Sequence, residues 1–174
     1  APAADAFRKS IAKNPHFRDA YYNMAQSLYQ QARDLYEERD KVKANAAQVK
    51  AVDAKLQPIA TELAQLTEKL RAIDPGSRNV VIMQAYAYRT LGDITAADAA
   101  TSSAWKNKTL EALKANEALT YDVQDVTMTT SGENVQIAGN VVNFKAKVGD
   151  PLKLRFHFIG ANGEELGTQE VTVT

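Results

Sequence analysis

Cysteine is absent from the 174 residues, which removes disulfides, thiolate nucleophiles and sulfur-ligated zinc or iron–sulfur centres together. Histidine occurs only as His16 and His157. They lie far apart and neither has a partner at ligand spacing, so no metal site is expected. No run of about 18 or more apolar residues is present, so no transmembrane segment is expected. Net charge is missing too, because 21 basic side chains balance 21 acidic ones. That argues against nucleic-acid binding or attraction to an anionic membrane through overall positive charge. No phosphate-cradling loop, nucleophile elbow or Ser-His-Asp set can be assembled. The expectation is a protein with no enzymatic activity, no cofactor and no evident small-molecule substrate.

What the chain does contain is divided unevenly. The length suits one or two small domains, and 45% hydrophobic with 24% charged residues is ordinary for a folded protein. Residues 1–118 carry 17 basic and 14 acidic side chains, whereas 119–174 carry 4 and 7, so the halves are +3 and −3. Of 29 alanines, 26 precede position 119, where a strong helix former is useful. Val, Thr and Gly replace them afterwards, which places a boundary near Leu119 between a helical domain and a strand domain. The opening Ala1-Pro2-Ala3-Ala4 has neither a charged nor an apolar signal region, and is expected to be what remains after cleavage of a leader or else a boundary of the segment.

Helix punctuation is clear in the first half. Asn14-Pro15, Asp74-Pro75-Gly76-Ser77 and Leu91-Gly92-Asp93 read as breaks between apolar-periodic stretches. Tyr21, Met24, Ala25 and Leu28 share one helical face, as do Val81, Ala85 and Tyr88. Leu28, Leu35, Val42, Val49, Leu56, Leu63 and Leu70 recur every seven residues, joined later by Val52, Ile59, Leu66 and Ile73. One helix through this whole stretch would be close to 90 Å long at about 1.5 Å per residue. Because Pro58 removes a backbone donor, two long antiparallel helices reversing or kinking between Ala44 and Pro58 are expected.

The stretch Ala20-Tyr21-Tyr22-Asn23-Met24-Ala25-Gln26-Ser27-Leu28-Tyr29 resembles the first helix of a tetratricopeptide repeat. Ala3, Phe7, Ser10 and Pro15 resemble the end of a preceding repeat. Ala85, Tyr88, Gly92, Ala97 and Ala104 fit a following one, in which Gly92 would terminate the first helix. Gln84 and Thr101 stand where apolar and aromatic residues are usual, and a long helical insertion falls at about 31–57. The resemblance implies a groove lined by first helices. The corresponding residues are Asp19, Tyr22, Gln26, Tyr29 and Gln30 from one helix and Asn79, Ile82, Tyr86, Arg89 and Thr90 from the other. Tyrosine offers large contact area with a polar tip, which suits a protein partner; the alternative for Tyr22, Tyr29 and Tyr86 is packing between helices. The Lys and Asn pair that clamps a terminal carboxylate in some such domains is not matched. Tyr21, Met24, Tyr88 and Trp105 are expected in the core.

From Tyr121 the period becomes two. Val123 to Met128, Val135 to Val141, Leu152 to Phe158 and Leu166 to Val173 read as strands. Turns are expected at Ser131-Gly132-Glu133-Asn134, Lys147-Val148-Gly149-Asp150-Pro151 and Ala161-Asn162-Gly163-Glu164. Ile137-Ala138-Gly139-Asn140-Val141-Val142-Asn143, Leu154-Arg155-Phe156-His157-Phe158 and the Asn162-Gly163 turn resemble an FxLYD-type immunoglobulin-like β-sandwich, often found on bacterial envelope proteins. Such sandwiches carry further strands after the position of Thr174. Either the segment ends early or another chain fills an open edge.

The expected fold class is α+β in two segregated domains. Residues 1–118 would form antiparallel tetratricopeptide-like helical hairpins, and 119–174 an antiparallel immunoglobulin-like β-sandwich incomplete at its C-terminus. The expected function is a protein-interaction scaffold of the bacterial periplasm or exterior, with a protein partner or homo-oligomer. The alternative is a self-assembling structural subunit of an envelope assembly, using the helical hairpin and an open strand edge.

Overall fold

The structure, a computed structural model, describes residues 2–145, 147 and 149–173. Of the positions discussed above, Ala1, Val148 and Thr174 lie outside the described residues. Five helices come first: α1 (Pro2–Lys13), α2 (Arg18–Lys41), α3 (Ala46–Ile73), α4 (Arg78–Ile94) and α5 (Ala99–Ala118). Four strands follow: β1 (Tyr121–Ser131), β2 (Asn134–Asn143), β3 (Leu152–Ile159) and β4 (Glu165–Val173). The fold is α+β with helical and strand regions segregated along the chain.

Short polar side chains start α3 and α5, where backbone donors would otherwise be orphaned. Asn45 Oδ1 accepts from the N–H groups of Ala47 and Gln48, both at 3.1 Å. Asp98 does the same for Ala100 and Thr101, and its other oxygen accepts from the Thr101 hydroxyl at 2.7 Å. The reversal between the long helices occupies residues 42–45, which overlaps the expected interval only at positions 44 and 45. Pro58 neither reverses nor ends a helix but lies inside α3, on its exposed side. Arg39 and Asp53 pair across the hairpin at 2.6 Å.

Gly92 also differs from expectation. It is buried within α4, and the break falls at residues 95–98 instead. The glycine serves close approach rather than termination. A Cβ there would stand 3.5 Å from Trp105 Cβ, and the Ser102 hydroxyl donates to the Gly92 carbonyl at 2.8 Å.

The core lies among α2, α3 and α4. Tyr21, Met24 and Leu28 meet Leu63, Leu66 and Leu70 and, from the third helix, Val80, Met83, Tyr88 and Leu91. Alanines at 25, 60, 64 and 87 are buried between them and let the backbones come close. Each large side chain buried here contributes about 1.5–3 kcal/mol relative to exposure. Gln84, polar at an apolar position, is buried with its carbonyl accepting from Arg71 Nη1 at 2.9 Å. Trp105 is half-buried and stacks on Tyr88 at 5.6 Å between centroids.

The strands form two separate two-stranded antiparallel sheets, β1–β2 and β3–β4. Gly132 and Glu133 connect the first pair. A bulge at Asp125 and Val126 interrupts its register, with Asp125 in the left-handed region (φ 53°) and its carboxylate accepting from Asn140 Nδ2 at 3.0 Å. Gly163 (φ 86°) turns the second pair. Leu152, Leu154, Phe156 and Phe158 are half-buried and alternate with exposed neighbours. Val123, Ile137 and Val141 of one sheet and Leu154, Phe156 and Val171 of the other line a cavity of about 300 Å³. Among the described residues no apolar side chain of any strand is fully buried, and Met128 and Leu166 are 65% and 68% exposed.

Candidate protein-binding groove

Helices α2 and α4 run side by side in the same direction, separated in sequence by α3. Three contacts fix this. Asn79 Nδ2 donates to the Tyr22 hydroxyl at 3.3 Å, Tyr29 and Tyr86 meet edge to face at 4.9 Å, and the Tyr36 hydroxyl donates to Asp93 Oδ2 at 2.6 Å. Each pair is 57 positions apart. A constant separation means that the contacts advance together along both helices, as only parallel neighbours can. Steps of seven residues, close to two helical turns, keep these side chains on one face of each helix.

Most of the residues implied by the repeat resemblance meet along this seam. Tyr22, Tyr29 and Tyr86 are half-buried, so their rings both hold the helices together and keep an accessible edge. Gln26 is exposed beside them, and Ile82 is an apolar side chain 40% exposed between Asn79 and Tyr86. Asp19 pairs with Arg18 at 3.0 Å, and Gln30 Nε2 donates to Asp34 at 2.8 Å. Thr90 is a correction. It lies one turn beyond Tyr86 on the same face of α4 but is fully buried, so it offers a partner no accessible surface.

Arginines stack over the rings. Arg18 lies 4.7 Å above Tyr22 while pairing with Asp74 at 2.8 Å. Arg33 lies 5.9 Å from Tyr29 and 4.0 Å from Glu37. Arg89 is shared between Tyr86 at 5.3 Å and Tyr36 at 5.6 Å. Such stacking fixes a guanidinium while leaving its N–H edge open.

Tyr36 is not among the residues that the repeat resemblance implies, which end at Gln30 on this helix. The signal was present in the seven-residue spacing of Tyr22, Tyr29 and Tyr36. Burial, reinforced by the hydrogen bond to the Asp93 carboxylate, pushes its phenol up to about 12. Burial also raises Tyr86 above the ordinary phenol value. Both rings therefore remain neutral at physiological pH and offer uncharged contact surface.

Among the described residues no group of three or more His, Cys, Asp or Glu side chains could hold a metal ion. No helix among them is long and apolar enough to cross a membrane. Comparison with protein-family models, with curated proteins and with solved structures found no match in any of the three.

Proposed function

We propose that the protein is a non-enzymatic, tetratricopeptide-like interaction scaffold that presents the α2–α4 groove to a protein partner. The observation that carries this reading is the tyrosine-lined seam, with Tyr22, Tyr29, Tyr36 and Tyr86 half-buried along two parallel helices and Ile82 exposed between them. Aromatic anchors on a rigid scaffold give contact area at little entropic cost. The two sheets serve as the layers of a small β-sandwich, supported by the cavity that side chains from both of them line. In this reading it is a spacer or second docking surface at a bacterial envelope. Replacing Tyr29 and Tyr86 together by alanine tests the groove. Partner capture should fall while far-ultraviolet circular dichroism keeps the helical signal. A large drop in thermal midpoint would place both rings in the structural core instead.

Self-assembly is a second reading, favoured by the exposure of Met128 and Leu166 on strands with free edges. Light scattering decides it, since a monomeric mass at high concentration counts against assembly.

A further inference from the structure

Within the groove, one charged group is held in place yet has nothing to bind. Arg89 is exposed on α4, its guanidinium shared between the Tyr36 and Tyr86 rings. Among the described residues no carboxylate lies within ion-pair distance of it and no hydrogen bond engages it, whereas Arg18 is paired with Asp74 and Asp19 and Arg39 with Asp53. The nearest acid in sequence, Asp93, already accepts the Tyr36 hydroxyl. An arginine immobilised on two rings loses less freedom on binding than one in water, and its planar edge matches a carboxylate with two parallel hydrogen bonds. Further along the same seam Ile82, Asn79 and Gln26 present exposed apolar and amide groups.

We propose that Arg89, on its Tyr36–Tyr86 platform, pairs with the carboxylate of an Asp or Glu side chain in a linear peptide, so that the groove selects acidic segments of its partner. The inference rests on the groove being the partner-binding surface. A side-chain carboxylate fits better than a phosphorylated residue, because dianionic phosphate is recognised by clusters of arginines. Arg33 faces Glu37 on α2, so among the described residues of the Tyr29–Tyr86–Tyr36 stretch Arg89 stands as a lone unpaired guanidinium and not as part of a cluster.

Selection from a random linear-peptide display library against the immobilised full chain tests this, with Arg89→Gln, Arg89→Lys and the Tyr29→Ala/Tyr86→Ala double variant alongside. Selected peptides are expected to be enriched in Asp or Glu at one position. Their binding should fall about tenfold in Arg89→Gln, equivalent to about 1.4 kcal/mol. Arg89→Lys should recover only part of it, and added salt should weaken the wild-type complex. Enrichment without acidic residues, or acidic peptides indifferent to Arg89→Gln, would overturn the acidic preference and leave the groove standing. Peptides that ignore the double tyrosine variant, or no enrichment at all, would overturn the groove and this inference with it.

Discussion

Asp122 on β1 accepts a hydrogen bond from the backbone N–H of Arg78, the first residue of α4, at 2.9 Å. Its second oxygen accepts from Gln124 Nε2 at 2.8 Å, and the residue is only 1% exposed. Ser77, at the N-cap position of α4, makes no side-chain cap bond, so a carboxylate 44 positions downstream does that work. Arg78 also lies 4.8 Å from the Phe144 ring. Helical and strand regions thus meet at the start of a groove-lining helix.

Asp122→Ala is therefore expected to destabilise the protein by about 1–3 kcal/mol, combining a lost N-cap with a buried donor left unpaired. Chemical denaturation followed by circular dichroism reads this directly. Asp122→Asn, which keeps an acceptor, should cost less; equal costs would show that charge rather than the hydrogen bond matters.

Pro58→Ala should stabilise. Proline inside a helix removes one backbone hydrogen bond and crowds the preceding turn, at a cost of about 3 kcal/mol. Because Pro58 is exposed, alanine removes no core packing. A rise in the urea midpoint is expected, partly offset by the greater freedom of the unfolded chain. A fall would show that α3 needs the local distortion in order to pack.

Tyr36 makes stability sensitive to alkali. Its folded-state pKa is raised to about 12, so folding favours the protonated phenol. The contribution is fully present below the unfolded value of about 10 and is lost as pH rises through about 12. Phenolate absorbance compared between wild type and Tyr36→Phe should assign to Tyr36 a step above the ordinary phenol value. Tyr36→Phe should remove part of the decline in denaturation midpoint across that window, at a cost of about 0.5–1.5 kcal/mol near neutrality.

At the acid end Glu68 has the opposite sign. The Tyr88 hydroxyl donates to it at 2.6 Å and Lys108 approaches at 3.2 Å, and these hold its carboxyl below the ordinary value. Its contribution is present above the unfolded value of about 4.3 and disappears as pH falls through the lower folded value. A urea titration between about pH 6 and pH 3 should show this loss, and Tyr88→Phe should flatten it. An unchanged slope in Tyr88→Phe would assign the acid sensitivity to other carboxylates.

The helix-to-strand change at Leu119 was legible because alanine stops and period-two alternation begins within a few residues, and α5 ends at Ala118. The Asn14-Pro15 and Asp74-Pro75 breaks were legible because proline disfavours helical backbone at the residue before it. Gly92 was misread because a glycine that ends a helix and one that admits a neighbouring helix look alike in sequence. Only the placement of Ser102 and Trp105 distinguishes them. Pro58 misled through a correct local cost that tertiary packing outweighs. Thr90 shares the groove-facing side of α4 with Tyr86, and only tertiary packing, which buries it fully, distinguishes it from the accessible positions. The Arg78–Asp122 bond had no sequence signal, since nothing local links a strand residue to a helix start.

The 57-residue spacing of the groove pairs also has a temporal meaning. Both walls run in the same direction, so no tight turn can join them, and all of α3 must intervene. A nascent chain that has emerged only as far as the α2–α3 hairpin holds one wall and no groove. Under the proposed function, partner recognition begins only once α4 has been made and docked. In the proposed reading the groove therefore reports that α2, α3 and α4 have packed together, and a partner that engages it does not capture a chain still lacking α4.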